Sequence, residues 1–185
     1  RRFFKNQSRR KFGVVVAHIE HPVDNIVEQV EYADKIGIDY VWLVEHHFVR
    51  HGGFLSANYA FLCYLAGRTE NIRLATGATV MALNDPVRVA EQAATLDQLS
   101  NGRFDLGVGR GFIRDEFDAF GVPMKESRDR VEEGVDLVRK AWSGQPLEFE
   151  SRFRPDMSGL PVLPPTRRPL LEKSASVARG KRFVR

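Results

Sequence analysis

Thiols are almost missing from this sequence. Cys63 is the single cysteine in 185 residues, so no internal disulfide can form, and a reducing compartment, the cytoplasm, is the expected setting. No apolar run approaches the roughly 20 residues of a membrane helix, so no membrane partner is expected. The basic start, RRFFKNQSRRKF, lacks the apolar stretch and small-residue cleavage site of a secretory signal. It also lacks an initiating Met, which points to a fragment or a processed chain. Glycine is absent from AHIEHPVDN (17–25), where a dinucleotide-binding fingerprint would follow a first strand, so a nicotinamide site of that type is disfavoured.

Positive charge is scarce in the body of the chain. The net charge of +4 arises because residues 1–11 and 167–185 each carry +6, whereas residues 12–166 carry −8. A nucleic-acid footprint needs a basic patch on a folded face. Basic tails on an acidic body do not supply one, and no nucleic-acid partner is expected. The division is a basic N-terminal tail (1–10), one domain (11–176) and a basic C-terminal tail (177–185), the last expected to be frayed.

Four apolar segments recur: FGVVVAHI from Phe12, YVWLVEHH from Tyr40, IRLATGATV from Ile72 and RFDLGVGRG from Arg103. Their starts lie 28, 32 and 31 residues apart, close to the ~30 residues of a βαβ unit. They are mostly continuously apolar, as when both faces of a parallel sheet are covered. Helical patterns fill the gaps. Asp24 is placed to cap a helix carrying Ile26, Val30 and Ala33 and stopped by Gly37. A second helix is expected from Ser56 to Gly67. Asp85-Pro86 is an N-cap followed by proline at the first helical position, opening a helix to Leu99. Val131, Val135, Val138 and Trp142 form one stripe of a fourth helix. Beyond it, SGQPLEFESRFRP reads as a turn and a short hairpin, and LLEKSASV as a fifth strand and its turn. The alternation defines an α/β protein with a parallel sheet.

Ligands of such sheets gather at the carboxyl ends of the strands. VWLVEHHFVRHGG (41–53) leaves that edge with His46 and His47 side by side. Adjacent strand residues face opposite ways, and H-H-x-x-x-H has no established metal spacing, so no metal site is expected. An imidazole here can exchange a proton near neutral pH; the plain alternative is surface histidines in a turn. GVGRGF (107–112) ends the fourth strand, where Gly109 and Gly111 let backbone approach a planar or phosphorylated ligand and Arg110 can grip an anion. Gly77 within TGATV marks a bulge, a close approach to a ligand, or a packing glycine. EKSAS (172–176) is a loop or a phosphate-binding turn. Cys63, on an apolar helix, reads as a small core residue.

WLVEHHF, the block ATGATVMALNDPVRVAEQAATLDQLSNGRFDLGVGRG and FGVPMKESRDRVEEGVDLVRKAW together resemble the bacterial-luciferase-like, flavin-dependent monooxygenases over about residues 11–155. The resemblance implies a (β/α)8 TIM-barrel type fold, truncated here to about the first four to five βα units. It implies reduced FMN as cofactor, or a deazaflavin in some branches, with a separate flavin reductase. O2 and a small organic, aldehyde-like substrate would be the partners in the monooxygenase branch. By position, His46 and His47 match the family's strand-two histidines, one of which lies near the reactive flavin edge, and Arg110, flanked by Gly109 and Gly111, matches the arginine on the flavin phosphate. Ser174 and Ser176 match the phosphate turn. Gly77 and Ala78 match a segment backing the flavin ring, often with a non-prolyl cis peptide. Gly109 replaces the reactive cysteine of true luciferases, so light emission is not expected. The chain is also shorter than a full barrel, and open sheet edges favour self-association into a homo-oligomer. A deazaflavin-dependent dehydrogenase and a non-catalytic, self-associating half-barrel are the alternatives.

Overall fold

The computed structural model of the chain describes residues 11–16, 23–49, 55–167, 177–178 and 181–184. Four strands pair in parallel in chain order: β1 (Gly13–Val16), β2 (Tyr40–Leu43), β3 (Arg73–Thr76) and β5 (Phe104–Gly109). Helices α1 (Val23–Lys35), α2 (Asn58–Ala66) and α3 (Pro86–Leu99) connect them. This is the βα alternation expected from the segment spacing. Among the described residues no helix is long and apolar enough to cross a membrane.

The strands sort their side chains more sharply than continuous apolar runs suggest. Val41, Leu43, Leu74, Leu106 and Val108 are at most 1% exposed and join Val30, Leu62, Leu65, Ala93 and Leu96 of the helices in one core. The opposite face carries stacked Tyr40 and Trp42 and the Arg73–Asp105 ion pair at 2.7 Å. A barrel explains this asymmetry. Its outer face seals against helices, whereas its inner face can hold polar pairs that satisfy one another.

Local chemistry sets the helix ends. Asp85 accepts from the N–H of Val87 at 2.8 Å and Arg88 at 3.4 Å, with Pro86 opening α3. Gly37, at φ 80°, ends the turn after α1 in a conformation that side chains with a Cβ resist. One expected cap differs: α1 begins at Val23, so Asp24 lies inside its first turn rather than at the cap. The fourth stripe is helix α5 (Ser127–Ala141), preceded by the short α4 (Arg114–Ala119). Val131, Val135 and Val138 are buried, and the Trp142 indole N–H donates to the Ala90 carbonyl at 3.0 Å. A hairpin is present as antiparallel β6 (Leu147–Phe149) and β7 (Met157–Leu160), but its second strand lies beyond the expected stretch 143–155.

The far edge of β5 corrects the expectation of a frayed basic end. β9 (Lys181–Val184) lies antiparallel to β5, and β8 (Val177–Ala178) pairs with β9. An open strand edge presents unpaired N–H and C=O groups, and any extended segment that reaches it can satisfy them. The segment expected as a parallel fifth strand, with Ser174 and Ser176, lies outside the described residues.

Candidate active site

Between β3 and β5 the ladder breaks and resumes. Ala75 pairs with Asp105, and after the break Thr79 pairs with Val108. The β3 side thus spends one residue more than the β5 side, which is a bulge. Thr76 spans the gap, its hydroxyl donating to the Gly107 carbonyl at 2.8 Å and accepting from the Gly107 N–H at 2.9 Å. The extra length holds Gly77 and Ala78, joined by a non-prolyl cis peptide, and leads into β4 (Thr79–Val80). A Cβ on Gly109 would come within 3.3 Å of the Ala78 Cβ, and one on Gly111, at φ +79°, within 2.7 Å of Val80 Cγ1. Glycines here let the end of β5 lie directly against the bulge.

His46 and His47 leave β2 at this same rim and point apart. The His46 ring meets Phe112 edge-on at 5.9 Å, two residues beyond Arg110, and its Nδ1 faces Glu116 Oε1 at 3.4 Å. The His47 ring packs edge-on against Phe120 at 4.8 Å, and its Nε2 contacts Glu45 Oε1 at 3.0 Å. Its backbone N–H donates to Glu116 Oε1 at 2.8 Å. The hydrogen bond to Glu45 raises the His47 pKa above the usual imidazole value; burial opposes this, and the Glu45 and Glu116 charges reinforce it. Burial pushes the Tyr59 hydroxyl up, so it stays protonated beside Thr79 Oγ1 at 3.0 Å.

The expected residues therefore converge in part. His46, His47, Gly77, Ala78, Gly109, Arg110 and Gly111 share one edge of the sheet. Arg110 is exposed and has no hydrogen bond or ion pair among the described residues. An unspent guanidinium beside close-packed glycines fits the phosphate of a flavin nucleotide, and the glycine-faced bulge fits a planar ring. Two acids escaped the sequence reading. Glu45 is 5% and Glu116 1% exposed. Glu45 had a signal, since it interrupts an apolar strand and shares a face with His47 two residues on. Glu116, within the polar run RDEFD, had none.

The four parallel strands with their alternating helices, and an imidazole pair, a glycine-lined bulge and Arg110 gathered at the carboxyl edge of the sheet, are those of an α/β chain of TIM-barrel type. The family model described as luciferase-like monooxygenase matches residues 6–182, and the chain belongs to that family. It is 35% identical over 126 residues to the alkanal monooxygenase alpha chain of Photorhabdus luminescens, covering 68% of this chain and 34% of that one. Against the 4-hydroxyprotoasukamycin monooxygenase of Streptomyces nodosus subsp. asukaensis it is 35% identical over 118 residues, covering 64% and 32%. The chain thus spans about a third of the length of these relatives. The crystal structure of monooxygenase RslO1 from Streptomyces bottropensis superposes with a TM-score of 0.82 at 35% identity, over 86% of this chain and 50% of that one. Two further structures share the fold at lower identity. The oxygenating constituent of 3,6-diketocamphane monooxygenase from Pseudomonas putida, in complex with FMN, gives a TM-score of 0.72 at 23% identity, over 82% of this chain and 44% of that one. An F420-dependent secondary alcohol dehydrogenase gives 0.74 at 22%, over 85% and 49%.

Proposed function

We propose that this chain carries the flavin-facing half of an oxidoreductase that uses reduced FMN and O2 on a small organic, aldehyde-like substrate. One observation carries the reading: the histidine pair, the bulge at Gly77–Ala78 and the free guanidinium of Arg110 meet at one rim. Bound there, the flavin would supply the redox chemistry. Arg110, together with Ser174 and Ser176 by the family resemblance, would hold its phosphate, while Gly77, Ala78, Gly109 and Gly111 would let its ring approach the backbone. With His46 Nδ1 3.4 Å from Glu116 Oε1, its Nε2 would be the nitrogen that holds or moves a proton.

Added FMN should raise the melting temperature by mass action, reaching about 2.7 kcal/mol of stabilisation at a hundredfold excess over Kd. Arg110→Ala should weaken FMN binding by roughly tenfold to a hundredfold, the worth of one charge-assisted contact. A wild-type chain whose melting is unmoved by millimolar FMN refutes the reading.

The likeness to an F420-dependent dehydrogenase supports a second reading, in which a deazaflavin transfers hydride without oxygen. Oxygen consumption with reduced FMN and a panel of aldehydes separates the two. We also propose self-association, because Val14 and Val15 on the edge strand β1 are 42% and 60% exposed.

A further inference from the structure

We propose that Glu45 is a positioning residue of this site. With Asn84 as second clamp, its carboxylate ties His47 to the backbone that follows Gly77–Ala78, so the histidine pair and the ring-backing bulge hold one geometry. The inference rests on the flavin reading above and extends it to residues that touch no ligand.

The carboxylate is spent on three donors from two segments. Oε2 accepts from the Val80 N–H at 2.9 Å, and Oε1 meets Asn84 Nδ2 at 2.8 Å and His47 Nε2 at 3.0 Å. Asn84 Nδ2 also donates to the Val80 carbonyl at 3.0 Å, so both backbone groups of Val80 are held by the clamp. Val80 pairs with Gly109, the residue before Arg110. One buried acid thus joins the edges of β2, β4 and β5.

Filling space or satisfying Val80 would not require a charge here. A glutamine can accept from the Val80 N–H, but its amide NH2 would then face the Asn84 and His47 donors; a carboxylate accepts from all three, and burying one is costly unless its charge is used. The use is at His47. Besides Glu45, the other described charge facing that ring is Glu116 from α4, and Phe120 closes one side. Held by Glu45, His47 keeps its proton to higher pH than a free imidazole and serves as a fixed donor. Proton movement then falls to His46, so the two adjacent histidines have different tasks.

The test compares wild type, Glu45→Gln and Arg110→Ala by imidazole NMR titration and by binding of FMN and of riboflavin, which lacks the phosphate. Glu45→Gln should lower the His47 pKa and weaken both flavins alike, by about tenfold, because the ring-backing geometry is loosened. Arg110→Ala should weaken FMN and leave riboflavin unchanged. A Glu45→Gln protein with an unaltered His47 titration, or with wild-type riboflavin affinity, overturns the proposal even if its melting temperature falls. Should that variant not fold, Asn84→Ala leaves the Glu45–His47 pair in place. It should keep the raised His47 pKa and still lose riboflavin affinity, and retained affinity overturns the proposal. If wild type binds neither flavin, the flavin reading fails, and the titration alone decides whether Glu45 governs His47.

Discussion

Replacing Arg103 by methionine should cost this protein a large part of its stability. The Arg103 guanidinium sits at the sheet edge opposite the histidines and donates five hydrogen bonds. Nε reaches the Ser100 carbonyl at 2.8 Å, Nη1 reaches Thr69 Oγ1 and the Ile72 carbonyl at 2.9 Å each, and Nη2 reaches the carbonyls of Ala66 and Thr69 at 2.9 and 3.0 Å. These acceptors lie along the connection from α2 into β3 and at the end of α3, so one side chain fastens two chain reversals. Each charge-assisted bond is worth about 1.5–3 kcal/mol in isolation, but bonds from one group do not add. Freed carbonyls near the surface also recover water. The net loss is about 3–5 kcal/mol, the range for breaking a buried charged network. Total stability of a domain is only about 5–15 kcal/mol. In urea the midpoint should fall with an unchanged slope, and the melting temperature should drop by roughly 6–20 °C. Arg103→Lys, which keeps the charge but not the fork, should recover only part of this. A loss below about 1 kcal/mol would refute the view that Arg103 fastens these turns.

Asp34 makes the fold sensitive to acid. Burial pushes its carboxyl up, but the N–H groups of Glu70, Asn71 and Ile72, at 2.7, 2.9 and 2.6 Å, together with Arg103, outweigh that and hold its pKa below the usual aspartate value. A carboxyl depressed in the folded state contributes stability above its unfolded pKa, about 3.9, and loses it as pH falls through the folded value. Asp34→Asn should therefore be less stable than wild type by about 1–3 kcal/mol at pH 7, and the gap should narrow below about pH 4; a gap constant with pH in urea melts rules this out. The exposed β1 edge should make the chain sediment as a dimer or larger species, and a monodisperse monomer at micromolar concentration counts against self-association.

Much of this architecture was legible because local and global signals agree. The Asp85-Pro86 cap and the stripe from Val131 to Trp142 each follow from a few neighbouring residues. The rim was legible through glycine and arginine placement on strand ends. What escaped reading depended on distant partners. Glu116 matters because α4 turns it towards His46 and His47, some seventy residues away in sequence. β9 pairs with β5 because an edge was open, and nothing within KRFV specifies antiparallel pairing. α1 begins two residues earlier than an Asp24 cap implies, because valine and aspartate both fit a first turn.

The supernumerary residue between β3 and β4 makes this protein's tolerance of insertions and deletions uneven. Thr79 lies opposite Val108, on the side of the sheet where Tyr59 waits. Losing one codon at 77–78 would leave Thr79 opposite Val108 but erase the bulge, pulling straight the backbone that now faces Gly109 at the rim. Codons gained or lost between β6 and β7 would alter a two-stranded excursion and its side-chain ties to Asp85 and α5, but not the pairing of the main sheet. Length variation should therefore collect in that excursion and be purged from the rim.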